Sequence, residues 1–233
     1  MSNRRVGLLM MIIGILAVTA GLGLGGYNLW DSRRAGIQAD AALDAIARYR
    51  EEIETANLNE APVTFPEPPP GISPDLPPEV FPGPPPDYDR ELPALEVDNR
   101  QYIGTVSIPA IGVVLPVQED WSLALLKASP CRYMGSPYEG NLIICAHNYA
   151  VHFGRLKNLL PGDEVLFTDL EGTEFRYIVA ELETLAGTAV EEMESGTWDL
   201  TLFTCTLGGQ TRVTVRCSLL EDDEIQESEA VKQ

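Results

Sequence analysis

Three patterns of apolar and polar positions follow one another along the 233-residue chain. Residues 6–26 carry no charged side chain. A helix rising about 1.5 Å per residue crosses the roughly 30 Å hydrocarbon core in about 20 residues, so this run predicts a membrane-spanning helix. Arg4 and Arg5 precede it, Arg33 and Arg34 follow it, and Tyr27 and Trp30 suit the interface at its far end. A cleaved signal peptide with a small-residue site near Ala20 is the competing reading. The apolar run continues through Leu22, Leu24 and Leu29, which favours an uncleaved anchor. Either reading exports the remainder of the chain. Beyond the anchor, Ala39, Leu43, Ile46 and Ile53 recur at helical spacing among charged residues, as in a short juxtamembrane stalk.

The second pattern is proline. Residues 62–93 hold most of the chain's prolines, including Pro68-Pro69-Pro70 and Pro84-Pro85-Pro86. Such a segment is an extended, semi-rigid spacer. The third pattern is short runs rich in Val, Ile, Leu, Thr and Tyr, at 102–108, 113–117, 141–146, 164–168, 174–182, 201–205 and 212–219. Turn residues such as Pro161-Gly162-Asp163 separate them. Short helices are expected at 122–128 and 153–160. Many short strands with few helices predict a mainly β domain, a closed or nearly closed barrel. The chain therefore divides into a cytoplasmic N-terminus (1–5), an anchor (6–30), a stalk (31–60), a proline-rich linker (61–98), a globular domain (99–220) and an acidic tail (221–233). A fragment beginning near Asn99 is expected to be soluble and monomeric.

Charge changes the picture by exclusion. A formal charge of −19 argues against nucleic acid, because phosphate binding needs Lys and Arg. The four cysteines, Cys131, Cys145, Cys205 and Cys217, form no CxxC pair, and no histidine stands at zinc-site spacing, so neither metal nor cofactor is expected.

The candidate chemistry rests on scarce residues. His147 and His152 are the only histidines. His147 closes the apolar run Leu142-Ile143-Ile144-Cys145-Ala146, where a rigid strand can hold a general base at the barrel rim. Position alone favours the plainer reading, a strand-end histidine that bonds a loop. Cys205 closes a second such run and is followed by Gly208-Gly209, after which a hairpin returns through Arg212. A guanidinium beside a thiol favours the thiolate and can stabilise an oxyanion; a buried structural cysteine is the alternative. Arg216 lies four residues on, on the same strand face as Arg212. Thr204 and Asn148, neighbours of Cys205 and His147, are candidate substrate-binding residues. His152 reads as a surface or packing residue, Cys145 as packing, and Cys217 as facing the core.

The segment TLFTCTLGGQTRVTVRC (201–217) resembles the sortase signature TLxTC followed by Arg and an apolar strand. YIGTVSIPAIGVVLPV (102–117) and NLIICAHNYAVHFGRLKNLLPGDEVLFTD (141–169) are similar to the family's opening strands and histidine region, with Ala146 where Gly is usual. The resemblance implies a closed sortase-type β-barrel of about eight strands. It implies Cys205 as nucleophile, with His147 and Arg212 as partners, in a membrane-anchored cysteine transpeptidase. Substrates would be secreted proteins with a C-terminal sorting motif; the acceptor would be an amine of cell-wall peptide or of a pilin. It further implies a single-pass protein at the cell membrane of a Gram-positive type bacterium, its catalytic domain on the extracellular side. A fold that has lost its chemistry and become a binding module, and a hydrolytic cysteine peptidase, are the alternatives. The short 183–201 stretch and the lack of an Asp-Pro lid lean toward a class D-like or unassigned group, with a class B-like one left open.

Overall fold

The computed structural model describes residues 3–59 and 90–220, so most of the proline-rich linker and the acidic tail lie outside the described residues. Helix α1 (Asn3–Asn59) runs without interruption from the apolar segment into the stalk. It is followed by β1 (Leu95–Val97), β2 (Arg100–Ile108), β3 (Val113–Gln118), β4 (Cys131–Met134), β5 (Leu142–Ala146), β6 (Glu164–Asp169) and β7 (Glu174–Ala186). A five-residue helix α2 (Val190–Glu194), β8 (Leu200–Cys205) and β9 (Thr211–Leu219) complete the fold. The helices expected at 122–128 and 153–160 are 3-10 turns, Leu125–Lys127 and Phe153–Asn158.

Eight strands close on themselves in the order β2-β3-β4-β5-β8-β9-β7-β6, and pairing of Gly104 to Ser107 with Asp169 to Leu166 joins the last strand to the first. Closure removes the free edges that an open sheet would expose. It also depends on Gly104: a Cβ there would stand 2.3 Å from the carbonyl oxygen of Thr168. Alternation puts Val106, Ile108, Leu115, Val117, Leu142, Ile144, Val165, Phe167, Val179, Leu200, Leu202 and Val215 inside the barrel. Two strands that the residue pattern did not predict have weak local signatures. β1 joins β2 through Asp98 and Asn99, both at positive φ, a two-residue hairpin turn inside what reads as linker. β4 meets β3 at a single parallel pair, Gln118 with Cys131, and its sequence Cys-Arg-Tyr-Met has no alternation to read.

From Gly7 to Trp30, α1 is exposed and apolar, about 36 Å long at 1.5 Å per residue, and is a candidate membrane span. The rest of α1 does not stand apart from the domain as a stalk would. Ala35, Ala39, Ala42 and Ile46 are buried against the barrel, with Ile46 and Ala42 packing on Tyr102 and Leu170. The stripe is mostly alanine, which lets the helix approach closely; Leu43 and Ile53 are only partly covered. Arg50 clamps the contact: its guanidinium donates to the carbonyls of Thr168 (2.9 Å) and Asp169 (2.6 Å) and to Thr105 Oγ1 (3.3 Å).

Candidate active site

The register of three adjacent strands builds the site. β8 and β9 form an antiparallel hairpin in which Cys205 faces Arg212. β5 runs parallel to β8 with Ala146 opposite Thr204, so the next residue, His147, leaves β5 at the level of Cys205. All three expected site residues line one cleft of about 260 Å³. Residues 206–210 make the hairpin turn, where Gly208 and Gly209 take the positive φ values of 89° and 72°. Arg212 Nη1 donates to the carbonyls of Gly209 (2.9 Å) and Thr211 (3.2 Å), so the turn itself holds the guanidinium at the cleft.

Alternation along β8 separates two neighbours. Phe203 and Cys205 look into the cleft, whereas Thr204 is buried on the opposite face and donates its hydroxyl to the Ala146 carbonyl at 2.8 Å. The hydroxyl of Thr204 ties β8 to β5 rather than lining the cleft. Asn148 is half-buried in the loop after β5 and does not line the cleft either. Arg216 shares a face with Arg212 but is buried, its guanidinium filled by Glu183 Oε1 (2.7 Å), Thr201 Oγ1 (3.0 Å) and the carbonyls of Met193 (2.9 Å) and Glu192 (2.6 Å). It secures α2, whose Val190 and Met193 form part of the cleft wall.

The rest of the wall is apolar and was not legible in the residue pattern. Trp121, Tyr133 and Phe203 form an aromatic row, with ring centroids 5.5 Å and 5.4 Å apart. Phe203 occupies the variable position of TLFTC, the one signal that pointed to it. Trp121, Leu123 and Leu126 come from the loop between β3 and β4, which buried Gln118 holds through hydrogen bonds to Leu125 O (2.9 Å) and Ser129 Oγ (3.0 Å).

His147 is half-buried, and its Nε2 is shielded from solvent without a hydrogen-bond partner. Burial lowers its pKa below the usual histidine value; Asp31 acts to raise it and Lys127 to lower it. The imidazole is therefore neutral near neutral pH. Its ring stacks on Tyr149 at 4.8 Å. His152 is fully buried behind it, a packing residue, with a pKa pushed down to about 4 by burial and by His147. Among the cysteines only Cys205 is part-exposed. Burial pushes the thiols of Cys145 and Cys217 up to about 12 and raises Cys131 as well, so those three are poor thiolates. Cys145 touches the cleft wall, and Cys217 faces the core. No cluster of His, Cys, Asp or Glu suited to a metal occurs among the described residues.

A small closed β-barrel with a cysteine, a histidine and an arginine at one apolar cleft defines a class of cysteine-bearing barrel domains. Residues 106–220 match the family model described as "Sortase domain", so this domain of the chain is a member of the sortase family. Solved structures similar to it include a sortase D5 transpeptidase of Clostridium perfringens, 25% identical, covering 52% of this chain and 79% of that one with a TM-score of 0.46. Sortase C of Streptococcus pneumoniae is 27% identical over 55% of this chain and 69% of its own, with a TM-score of 0.48. A lid mutant of sortase A from Corynebacterium diphtheriae is 24% identical over 52% and 72%, with a TM-score of 0.48. No curated protein matches the sequence.

Proposed function

We propose that the chain is a membrane-anchored cysteine transpeptidase that cleaves a short sorting motif near the C-terminus of secreted proteins and transfers them to an amine of the cell wall or of a pilin subunit. The observation that carries this reading is the shared register of β5, β8 and β9, which brings Cys205, His147 and Arg212 to one cleft. Membership of the sortase family supports it, and the apolar row Trp121, Tyr133 and Phe203 suits a peptide whose side chains dock beside the sulfur.

In this mechanism the Cys205 thiol gives its proton to the His147 imidazole as its sulfur attacks the carbonyl carbon of a Thr in the motif. Arg212 stabilises the tetrahedral oxyanion. The C–N bond breaks, and the imidazolium protonates the departing amine, leaving a thioester on Cys205. An acceptor amine then loses its proton to His147, forms a new C–N bond and releases the thiolate, which recovers a proton. The apolar span of α1 would hold the enzyme at the membrane with its barrel on the outer side. Cys145 and Cys217 take no part, because their thiols are buried.

The test is mass spectrometry of the full chain incubated with a library of Thr-containing pentapeptides and hydroxylamine as acceptor. A peptide acyl group on Cys205 and a hydroxamate product are expected. An acyl group on another cysteine, or none with any peptide, overturns the reading.

A further inference from the structure

The three reaction residues lie on or beside strands, but the imidazole is braced from a distant part of the chain. His147 stacks on Tyr149 with centroids 4.8 Å apart and planes 26° apart. The Tyr149 hydroxyl donates to Asp31 Oδ2 at 2.5 Å, across 118 positions of sequence. Asp31 belongs to α1 and directly follows Trp30, where the exposed apolar stretch of the helix ends. Four residues further on, Ala35 is fully buried, the first of the side chains that seat α1 on the barrel. Neither Asp31 nor Tyr149 lines the cleft.

We propose that α1 positions the catalytic imidazole: Asp31 fixes the Tyr149 ring, and that ring fixes the plane of His147, so full activity requires the anchor helix to be seated on the barrel. The inference rests on the transpeptidase reading and deepens it. The physical reason is the place of His147 in the chain. It sits just past the end of β5, where ladder hydrogen bonds no longer restrain the backbone, and its ring turns about two side-chain torsions unless something packs on it. Tyr149 lies in the same loop and needs its own anchor, which the hydroxyl finds on α1. Burial and the Asp31 hydrogen bond both keep that hydroxyl protonated, so it remains a donor over the working pH range.

The contact also has an electrostatic side. The charged and titratable groups around His147 are Asp31 from α1, Lys127 from the turn after β3, Tyr149 and His152 from its own loop, and, lining the same cleft, Tyr133, Cys145, Cys205 and Arg212. Of these, Asp31 is the carboxylate that opposes the effect of burial. It favours the imidazolium that must form when the thiol gives up its proton. Asp31 and Tyr149 are therefore positioning residues, acting through His147 without touching substrate.

The experiment uses the full chain in detergent micelles and the variants Asp31→Asn, Tyr149→Phe and Tyr149→Ala. Ring NMR of His147 against pH needs no substrate; kcat and KM are read with the pentapeptide that acylates the wild type and with hydroxylamine. Asp31→Asn should move the His147 titration lower, and Asp31→Asn and Tyr149→Phe should each lower kcat about fivefold, the scale of one lost hydrogen bond, with KM unchanged. Tyr149→Ala, which also removes the stacked ring, should lower kcat further. Wild-type kcat and an unmoved His147 titration in both Asp31→Asn and Tyr149→Phe would overturn the brace, as would a raised KM at constant kcat. Should Asp31→Asn unseat the helix, seen as a lowered Tm, Tyr149→Phe decides alone, since it keeps the ring. If no peptide acylates the wild type, the transpeptidase reading falls, and the His147 titration still reports separately whether α1 braces the ring.

Discussion

Cys205 and Arg212 stand directly opposite one another across the β8–β9 hairpin, and the carbonyls of Gly209 in the turn and Thr211 at the start of β9 hold the guanidinium. Arg216, on the same face, spends its guanidinium on Glu183, Thr201 and the backbone of α2. The two arginines should therefore fail differently. Arg212→Ala is expected to lower kcat/KM by about a hundredfold, the scale of a lost oxyanion donor, with little change in Tm. Arg216→Ala should instead cost about 3 kcal/mol of stability, because Glu183 and several acceptors lose their partner. Urea unfolding beside a kinetic assay separates the two effects; equal losses of activity at unchanged stability would contradict the assignment.

The cysteines should react unequally. Cys205 is part-exposed, while Cys131, Cys145 and Cys217 are buried with raised thiol pKa values. Native protein treated with iodoacetamide at pH 8 should gain a single adduct, mapped by peptide mass to Cys205. Cys205→Ala should gain none, form no acyl-enzyme and melt within a degree or two of the wild type.

Removing α1 should be costly. A fragment beginning at Asn99 uncovers Tyr102 and Leu170 and loses the Arg50 clamp as well as β1. Such a fragment, soluble and monomeric on the pattern of the sequence alone, is instead expected to melt lower and to associate. Arg50→Ala in the full chain should weaken the same contact without exposing a strand edge. Light scattering and thermal unfolding of the fragment, the variant and the full chain check this; identical behaviour would mean that the helix contributes nothing to the domain.

His152 should make stability depend on pH. Its pKa in the folded protein is about 4, against an ordinary value near 6.5, so the unfolded chain binds the extra proton first. The contribution of the neutral ring is complete above about 6.5 and is lost as pH falls through 4. The full swing is on the order of 3 kcal/mol, since each tenfold step in proton affinity is worth about 1.4 kcal/mol. A plot of Tm against pH should fall over this window in the wild type and flatten in His152→Phe. A parallel fall in both would assign the acid sensitivity to other groups.

Activity should be lost on the acid side only below the ordinary histidine range, because burial lowers the pKa of His147. The rate of acyl-enzyme formation is expected to rise with pH through a midpoint below 6.5 and to shift lower still in Asp31→Asn. A midpoint above 6.5 would mean that another group limits the acid limb.

Seven strands and the positions of Cys205, His147 and Arg212 at strand ends were readable from residue order, because each follows from neighbours. Alternation assigns faces, two glycines turn the β8–β9 hairpin, and a short loop leaves Arg212 little choice of partner. The apolar run of α1 was equally legible, since span length depends only on rise per residue. Local order could not reveal β4, held to β3 by a single pair, or the Asp98-Asn99 hairpin hidden at the end of a proline-rich stretch. Nor could it reveal where the second half of α1 goes. Its buried face is three alanines and one isoleucine, too weak a stripe to announce a partner, and its use depends on the surface that barrel closure creates at Tyr102 and Leu170. The link from Asp31 through Tyr149 to His147 belongs to the same category, because only the closed fold brings residues 118 positions apart into hydrogen-bonding contact.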